Sequence, residues 1–173
     1  MRDVSNRVYL GASLVFVLAC GTPGAPDAQR DLTPDAGSAL VITPAKATWT
    51  WEEVTMPGGS GLRATLRNGS ARALTSALGD GFNAEAEQTD LYLAASGGGA
   101  VERRDQTGAW QEASLAFLVE GTKPVLLRPG ANYALTAFLQ GTRRTGSYRI
   151  RIDYVASADG VRQSDYSATF EIR

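Results

Sequence analysis

The sequence predicts an all-β fold, an antiparallel sandwich of about seven to nine short strands, over residues 39–173. The first observation behind this prediction is alternation, because large apolar side chains alternate with charged ones over residues 148–154, as in a half-buried strand. The second is spacing, because clusters of Gly, Pro, Asn and Asp separate the apolar runs at short intervals. The third is length, since about 135 residues can bury an ordinary core without disulfide bonds.

In chain order, the predicted strands begin with Trp49 and Trp51, which share one face of an extended segment. In the last predicted strand, alternate residues from Tyr166 to Ile172 are expected to share the buried face. Residues 82–90 suggest one turn of helix, and no segment shows a capped helical pattern. The other predicted strands cover residues 62–66, 73–78, 91–95, 100–104, 114–120, 124–127, 133–139 and 148–154.

The first twenty residues have the layout of an export signal. Arg2 and Arg7 precede an apolar run over residues 8–19. The run ends directly before Cys20, the single cysteine of the chain. The run is too short for a membrane span, which needs about 20 apolar residues, and it has no polar stripe, which an amphipathic core helix would show. Residues 1–19 are therefore predicted to be a signal peptide that is removed on export.

The segment Val17-Leu18-Ala19-Cys20 resembles the lipobox of bacterial lipoproteins. The resemblance implies that a lipid is attached to the sulfur of Cys20, that the chain is cut before this residue, and that its new amino group is acylated as well. Two or more acyl chains anchor a protein stably, whereas a single chain does not. Gly21 replaces the Asp that retains enterobacterial lipoproteins at the inner membrane, so a lipid anchor in the cell envelope is expected, at the outer membrane rather than the inner one.

Residues 20–38 are predicted to comprise the lipid-bearing cysteine and a flexible linker. The segment is rich in Pro, Gly, Ala and Asp, and Leu32 is its one large apolar residue. Such a composition cannot bury enough surface to offset the entropy of ordering the chain. The linker is expected to hold the domain of residues 39–173 away from the lipid surface.

Three short motifs in the domain resemble those of bacterial immunoglobulin-like domains. They are Leu66-Arg67-Asn68-Gly69-Ser70 at the end of an early strand, Leu127-Arg128-Pro129-Gly130-Ala131-Asn132-Tyr133 at a turn, and Gly146-Ser147-Tyr148 at the start of the next strand. The resemblance implies an immunoglobulin-like sandwich. Some domains of this kind are intracellular proteinase inhibitors, and others are adhesion-like proteins or lipoproteins. The same motifs also suit any sandwich turn, because Pro-Gly favours a tight turn.

The amino-acid composition argues against several classes of function. The chain has no histidine and one cysteine, so neither a Ser-His-Asp nor a Cys-His site can form and the commonest zinc ligand is missing. The net charge is −1, and the basic pairs Arg103-Arg104 and Arg143-Arg144 are typical of solvated strand and turn positions, not of a nucleic-acid-binding stripe. The acidic residues between Asp80 and Asp90 lack EF-hand spacing. No enzymatic activity, metal, cofactor or nucleic-acid partner is therefore expected.

Three functions remain open. The leading hypothesis is a membrane-tethered, non-catalytic domain for protein interaction or envelope structure, whose partner is an envelope protein or a polysaccharide. The second is a module for carbohydrate or another small ligand, in which Trp49, Trp51 and Trp110 stack on the ligand, although aromatic side chains also fill sandwich cores. The third, implied by the resemblance, is a proteinase-inhibitor-like domain.

Overall fold

The computed structural model describes residues 38–80, 90–95, 97–116, 122–156 and 160–173. These residues form twelve strands and one short helix, so the predicted all-β fold is confirmed. The elements in chain order are β1 Leu40–Pro44, β2 Thr48–Trp49, α1 Trp51–Val54, β3 Leu62–Asn68, β4 Leu74–Asp80, β5 Asp90–Tyr92, β6 Gly99–Arg104, β7 Trp110–Glu112, β8 Lys123–Leu127, β9 Asn132–Ala137, β10 Gly146–Val155, β11 Arg162–Tyr166 and β12 Phe170–Ile172.

The strands make one curled sheet, ordered β1-β3-β9-β5-β4-β10-β12-β2. Strand β4 joins its two halves, because its last residues pair with β5 while its earlier residues pair with β8 and β10. The long strand β10 organises the second half, with β6 on one side and both β11 and β12 on the other. Strand β7 extends this half beyond β6. The described part of the chain contains no helix that is long and apolar enough to cross a membrane.

One core cluster takes side chains from both halves of the curled sheet. The predicted alternation in β10 is confirmed, since Tyr148, Ile150, Ile152 and Tyr154 are all buried and point into one cluster. Strands β3 and β9 contribute their predicted faces in the same way, with every second residue buried. The strongest period-two patterns therefore mark the strands that build the core.

The prediction of one continuous C-terminal strand over residues 166–172 is wrong, because the chain forms the end of β11 and a separate β12 there. Tyr166 pairs with Arg151 at the end of β11, and Phe170 pairs with Tyr148 at the start of β12, so the register shifts by one residue between them. Ser167 occupies this bulge, where its hydroxyl accepts from the Ile150 amide at 2.9 Å. One extra residue reverses the facing of a strand. Tyr166 and Ala168 consequently point to the outside, whereas Phe170 and Ile172 are buried.

The predicted extended segment with Trp49 and Trp51 on one face is also wrong, because a helix begins at Trp51. Thr50 caps the helix, and its hydroxyl accepts from the Glu53 amide while the Glu53 carboxylate accepts from the Thr50 amide. The sequence contains this capping box as Thr-x-x-Glu from residue 50 to residue 53, which is a signature of a helix N-terminus. It overrides the alternation that Thr48 to Trp51 also shows.

Two of the three motifs that resemble immunoglobulin-like domains meet in space. Asn68 is fully buried, and its side-chain amide donates to the carbonyls of Leu127, at 2.9 Å, and Arg72, at 2.8 Å. Gly130, in the Pro-Gly turn with φ of +72°, donates to the Asn68 carbonyl at 2.8 Å. The hydroxyl of Tyr133 accepts from the Arg128 amide at 2.8 Å and so closes the same turn.

Several short strands were not expected from the sequence. These are β1, β7 and β11, which have weak or no apolar alternation. The predicted helical turn at 82–90 lies outside the described residues except for Asp90, which begins β5. The predicted strand over 114–120 is described only to residue 116, where Leu115 forms an isolated bridge with Leu139.

Candidate binding cleft

The three tryptophans named from the sequence lie in different environments. Trp49 is 2% exposed and belongs to the core, with Lys46 Nζ 4.8 Å from its ring centroid. Its indole nitrogen is buried without a hydrogen-bond partner. Trp51 and Trp110 are half-buried. The structure therefore does not bring the three rings together on one exposed platform.

Trp110 stacks on an arginine of β10, which lies on the far side of β6 in the sheet. The guanidinium of Arg149 lies 4.3 Å from the centroid of Trp110 and 4.0 Å from that of Tyr166, so it contacts both rings. Such cation–π contacts are worth about 0.5–2 kcal/mol, depending on exposure. One face of Trp110 is thus covered by the protein's own side chain.

The charged side chains beside this stack neutralise one another. Glu102 accepts from Arg149 at 2.7 Å and from Arg151 at 2.8 Å, and Arg151 also contacts Glu112 and Asp153. Burial acts to lower the pKa of Arg151, but hydrogen bonding to Glu112 and the nearby carboxylates outweigh it and raise that pKa. The outer face of β6, β7 and β10 is therefore a closed ion network with little charge left for a ligand.

A cleft of about 260 Å³ opens on the other face of β6 and β7. Trp51, at the start of α1, forms part of its wall, and the buried side chains of Leu139 and Tyr148 lie at its base. The remaining lining residues come from β6, from β7 and the residues after it, and from the segment that follows Leu139: Arg103, Gln111, Glu112, Ala113, Ser114, Gln140, Gly141, Thr142 and Arg144.

The cleft exists because two paired segments separate. Residues 138–140 are held on both sides, since Leu139 donates to the Val54 carbonyl at 2.8 Å and Gln140 donates to the Ser114 carbonyl at 3.0 Å. At Gly141, with φ of +95°, the chain turns away, in a conformation that side-chain-bearing residues rarely adopt. The segment after it no longer pairs with β7, and the space between them is the cleft.

Two arginines give the cleft its charge. Arg103 and Arg144 both line it, and among the described residues neither guanidinium forms an ion pair. Their positive charges act to lower the pKa of Tyr148, although burial is the larger effect and leaves that pKa raised. The hydroxyl of Tyr148 donates to the Arg144 carbonyl at 2.7 Å and so fixes the backbone at the rim. Glu112, the one acidic lining residue, is already paired with Arg151 at 2.8 Å.

The expected solvated strand and turn positions hold for Arg104, Arg143 and Arg144, which are exposed, whereas Arg103 is half-buried on β6. Arg104 donates to the Gly108 carbonyl at 3.2 Å within its own hairpin, and Arg143 pairs with Glu52 at 3.3 Å on the surface. Their neighbours Arg103 and Arg144 line the cleft and form no ion pair among the described residues. Sequence reasoning missed this site, because the two residues are distant in the chain and only the fold brings them together.

The chemistry that this arrangement can supply is recognition of an anion. Guanidinium groups free of carboxylate partners bind carboxylates or phosphates through two parallel hydrogen bonds. Gln111, Gln140 and Ser114 add neutral polar groups at the walls, and Trp51 adds an aromatic face. The described residues include no group of three or more Cys, Asp or Glu side chains placed to hold a metal ion.

No known protein family, curated protein or solved structure matches this chain. The geometry of the cleft is therefore the basis for assigning a function.

Proposed function

We propose that the chain is an exported lipoprotein, anchored in the cell envelope through Cys20, whose β domain binds a partner in the cleft without catalysing a reaction. The observation that carries this proposal is the contrast between two neighbouring sets of charges. The arginines of the outer face are neutralised by Glu102, Glu112 and Asp153, whereas Arg103 and Arg144 have no acidic partner among the described residues. Such groups are available for an anionic group of a partner.

The anchor rests on the sequence at the N-terminus. An apolar run ends on the single cysteine of the chain, in a segment that resembles a lipobox, and a Pro- and Gly-rich linker follows. Acyl chains on Cys20 then hold the domain at a membrane, and Gly21 favours the outer membrane. The linker gives the domain, and with it the cleft, freedom to reach a partner near the surface.

For the fold we propose an immunoglobulin-like sandwich. Strand β3 lies between β1 and β9, as strand B lies between A and E, and β10 lies between β4 and β12, as F lies between C and G. These strands also follow one another in the immunoglobulin order along the chain. One departure is β5, in the position of strand D, which pairs with β9 in parallel.

Quantitative capture tests the proposed recognition. The full-length protein, immobilised, is incubated with envelope fractions, and the bound components are compared with those held by Arg103→Gln/Arg144→Gln. Arg63→Gln/Arg67→Gln is the matched control, because both of these arginines are exposed on β3 and the change in net charge is the same. We expect the cleft variant to lose components that the wild type and the control both retain. Equal capture by all three proteins would contradict binding in the cleft.

A second candidate function is carbohydrate binding, and Trp51 is the observation that favours it. Its half-buried ring lines the cleft next to polar side chains, and aromatic faces stack on sugar rings. Trp49 and Trp110 do not contribute, since the first is in the core and Arg149 covers the second. Trp51→Ala should then abolish retention on an acidic polysaccharide such as polygalacturonate, whereas Trp110→Ala should leave it unchanged.

A further inference from the structure

We propose that the partner enters the cleft as an extended acidic peptide segment, which adds as a strand to the free edge of β7. This inference rests on the proposed function and specifies its ligand. Three features carry it: the direction of the backbone groups of β7, the way in which its neighbour turns away, and the two arginines on the cleft face.

The backbone groups of Trp110 and Glu112 point away from β6. In the β6–β7 pair, Asp105 donates to the Ala109 carbonyl and Ala113 donates to the Val101 carbonyl, both at 2.8 Å. Hydrogen-bonded residues alternate in an antiparallel ladder, so Ala109, Gln111 and Ala113 face β6 and the residues between them face outward. Among the described residues, no strand pairs with this outer edge of β7.

The same edge is already used two residues further along the chain. Ser114, the next residue in the outward-facing series, accepts from Gln140 at 3.0 Å, and Leu115 bridges Leu139 in antiparallel fashion. A strand therefore follows this edge until Gly141, where it turns away. A peptide in the cleft would continue the interrupted pairing along Glu112 and Trp110. Addition to an exposed edge is a common mode of peptide recognition, because the main chain supplies matched donors and acceptors.

The side chains around the edge specify the composition of the peptide. Residues of an added strand alternate between the two faces of the sheet. On the cleft face they meet Arg103, which pairs with Gln111 in the ladder, and Arg144 at the rim. On the outer face they meet Trp110 and the already neutralised Glu112. An alternation of acidic and apolar residues satisfies both faces, whereas a glycan offers no backbone that matches the edge amides.

Fluorescence anisotropy with the full-length protein tests this inference. The probe is a fluorescein-labelled peptide of about ten residues that alternates Val and Glu, long enough for one strand. A Val-Gln peptide of equal length is its neutral control, and polygalacturonate is the glycan arm. We expect the Val-Glu peptide to bind, the Val-Gln peptide to bind at least about tenfold more weakly, and Arg103→Gln/Arg144→Gln to lose at least about tenfold in affinity.

A matched pair of variants isolates the edge. Glu112→Ala and Glu112→Pro remove the same carboxylate, but only proline removes the outward amide, and an edge strand tolerates proline where its N–H faces solvent. We expect Glu112→Pro to bind the Val-Glu peptide at least about tenfold more weakly than Glu112→Ala does. Two further peptides, N-methylated at every Val or at every Glu, each block one edge of the peptide and leave the protein unchanged. Strand addition predicts that one of them binds and the other does not.

Three results would overturn the inference. They are no binding of the Val-Glu peptide up to about 1 mM, equal binding by the two N-methylated peptides, and binding of polygalacturonate in place of the peptide. If any of these occurs while Arg103→Gln/Arg144→Gln still loses components in envelope capture, the strand-addition inference fails and the proposed recognition function stands. If the capture difference is absent as well, both fail.

Discussion

The side-chain amide of Asn68 donates a hydrogen bond to the main-chain carbonyl of Leu127 at 2.9 Å, across 59 positions of the chain. This bond joins the end of β3 to the turn between β8 and β9. Asn68 also accepts from the amide and the hydroxyl of Ser70, at 2.9 and 2.7 Å, so its buried side chain is satisfied on both atoms. It thus holds together the two loops that carry the immunoglobulin-like motifs.

Asn68→Ala should destabilise the domain by about 2–4 kcal/mol, because it leaves the buried Leu127 carbonyl without this donor and opens space beside it. Chemical unfolding followed by circular dichroism measures the change. Ser70→Ala, which keeps both donor bonds of Asn68, should cost about 1 kcal/mol or less. If the two variants are equally stable, Asn68 does not have the proposed role.

The first strand of the domain is bound to the second half of the sheet by a buried carboxylate. Asp165 accepts from the Leu40 amide at 2.7 Å, and the hydroxyl of Tyr154 also bonds to Asp165. Burial is the larger cause, followed by the negative charge of Asp165, and together they raise the pKa of Tyr154 to about 12. The neutral phenol is therefore favoured in the folded protein.

A loss of stability at high pH follows from this arrangement. The folded-state pKa of Tyr154, about 12, lies above the ordinary value of 10.0, so its stabilisation is complete below pH 10 and is lost as the pH rises toward 12. The free energy of unfolding should fall by roughly 2 kcal/mol through this group over that interval. Urea unfolding at a series of pH values measures the decline, and Tyr154→Phe should make it smaller. A decline of the same size in the variant would refute the assignment.

The position of Arg149 between Trp110 and Tyr166 requires a planar cation. Arg149→Lys keeps the charge but loses the stacking and the directional bond from Nε to Glu102, so it should cost about 1–2 kcal/mol. Arg63→Lys, at an exposed position on β3, should change stability by less than about 0.5 kcal/mol. Thermal unfolding of the two variants side by side provides the measurement, and equal melting temperatures would argue against the stack.

The lipid anchor predicts a covalent change at one residue. Cells that express the full-length chain and are fed an alkyne-bearing fatty acid should incorporate the label into the wild type, and Cys20→Ala should incorporate none. The mature wild-type chain should begin at Cys20, since the resemblance to a lipobox implies cleavage before it. Label in the Cys20→Ala protein, or a mature chain that begins elsewhere, would exclude this anchor.

Sequence patterns correctly predicted the strands whose buried face is decided by their own alternation and not by the neighbouring strands. Over residues 148–154 each strand face has one character, so alternation alone fixes which side is buried. Alternation gave the wrong face for Tyr166, because one bulged residue reverses the side on which its side chain lies. The bulge depends on the bonds between Ser167 and Ile150 of another strand, which a local pattern does not reveal. The helix at Trp51 could have been predicted from the sequence, since the two residues of its capping box are three positions apart.

The cleft could not have been found from local patterns. Arg103 and Arg144 each sit in an Arg-Arg pair, and the sequence contains nothing that separates them from Arg104 and Arg143, which have bonds elsewhere on the surface. Their meeting depends on strand order and on the turn at Gly141, which are both consequences of long-range pairing. For the tryptophans, residue type alone suggested a shared binding platform. The structure instead buries Trp49 in the core, apart from the other two.

Site-specific photo-cross-linking in living cells tests the central claim, that the cleft binds an envelope partner. A photoreactive amino acid replaces Thr142, at the exposed rim of the cleft, or Leu126, which is 57% exposed on β8 and does not line the cleft. The account predicts a discrete adduct from position 142 and none from position 126, and the loss of that adduct when Arg103→Gln/Arg144→Gln is present in the same chain. No adduct from position 142, or an adduct that the two arginine substitutions leave unchanged, would contradict it.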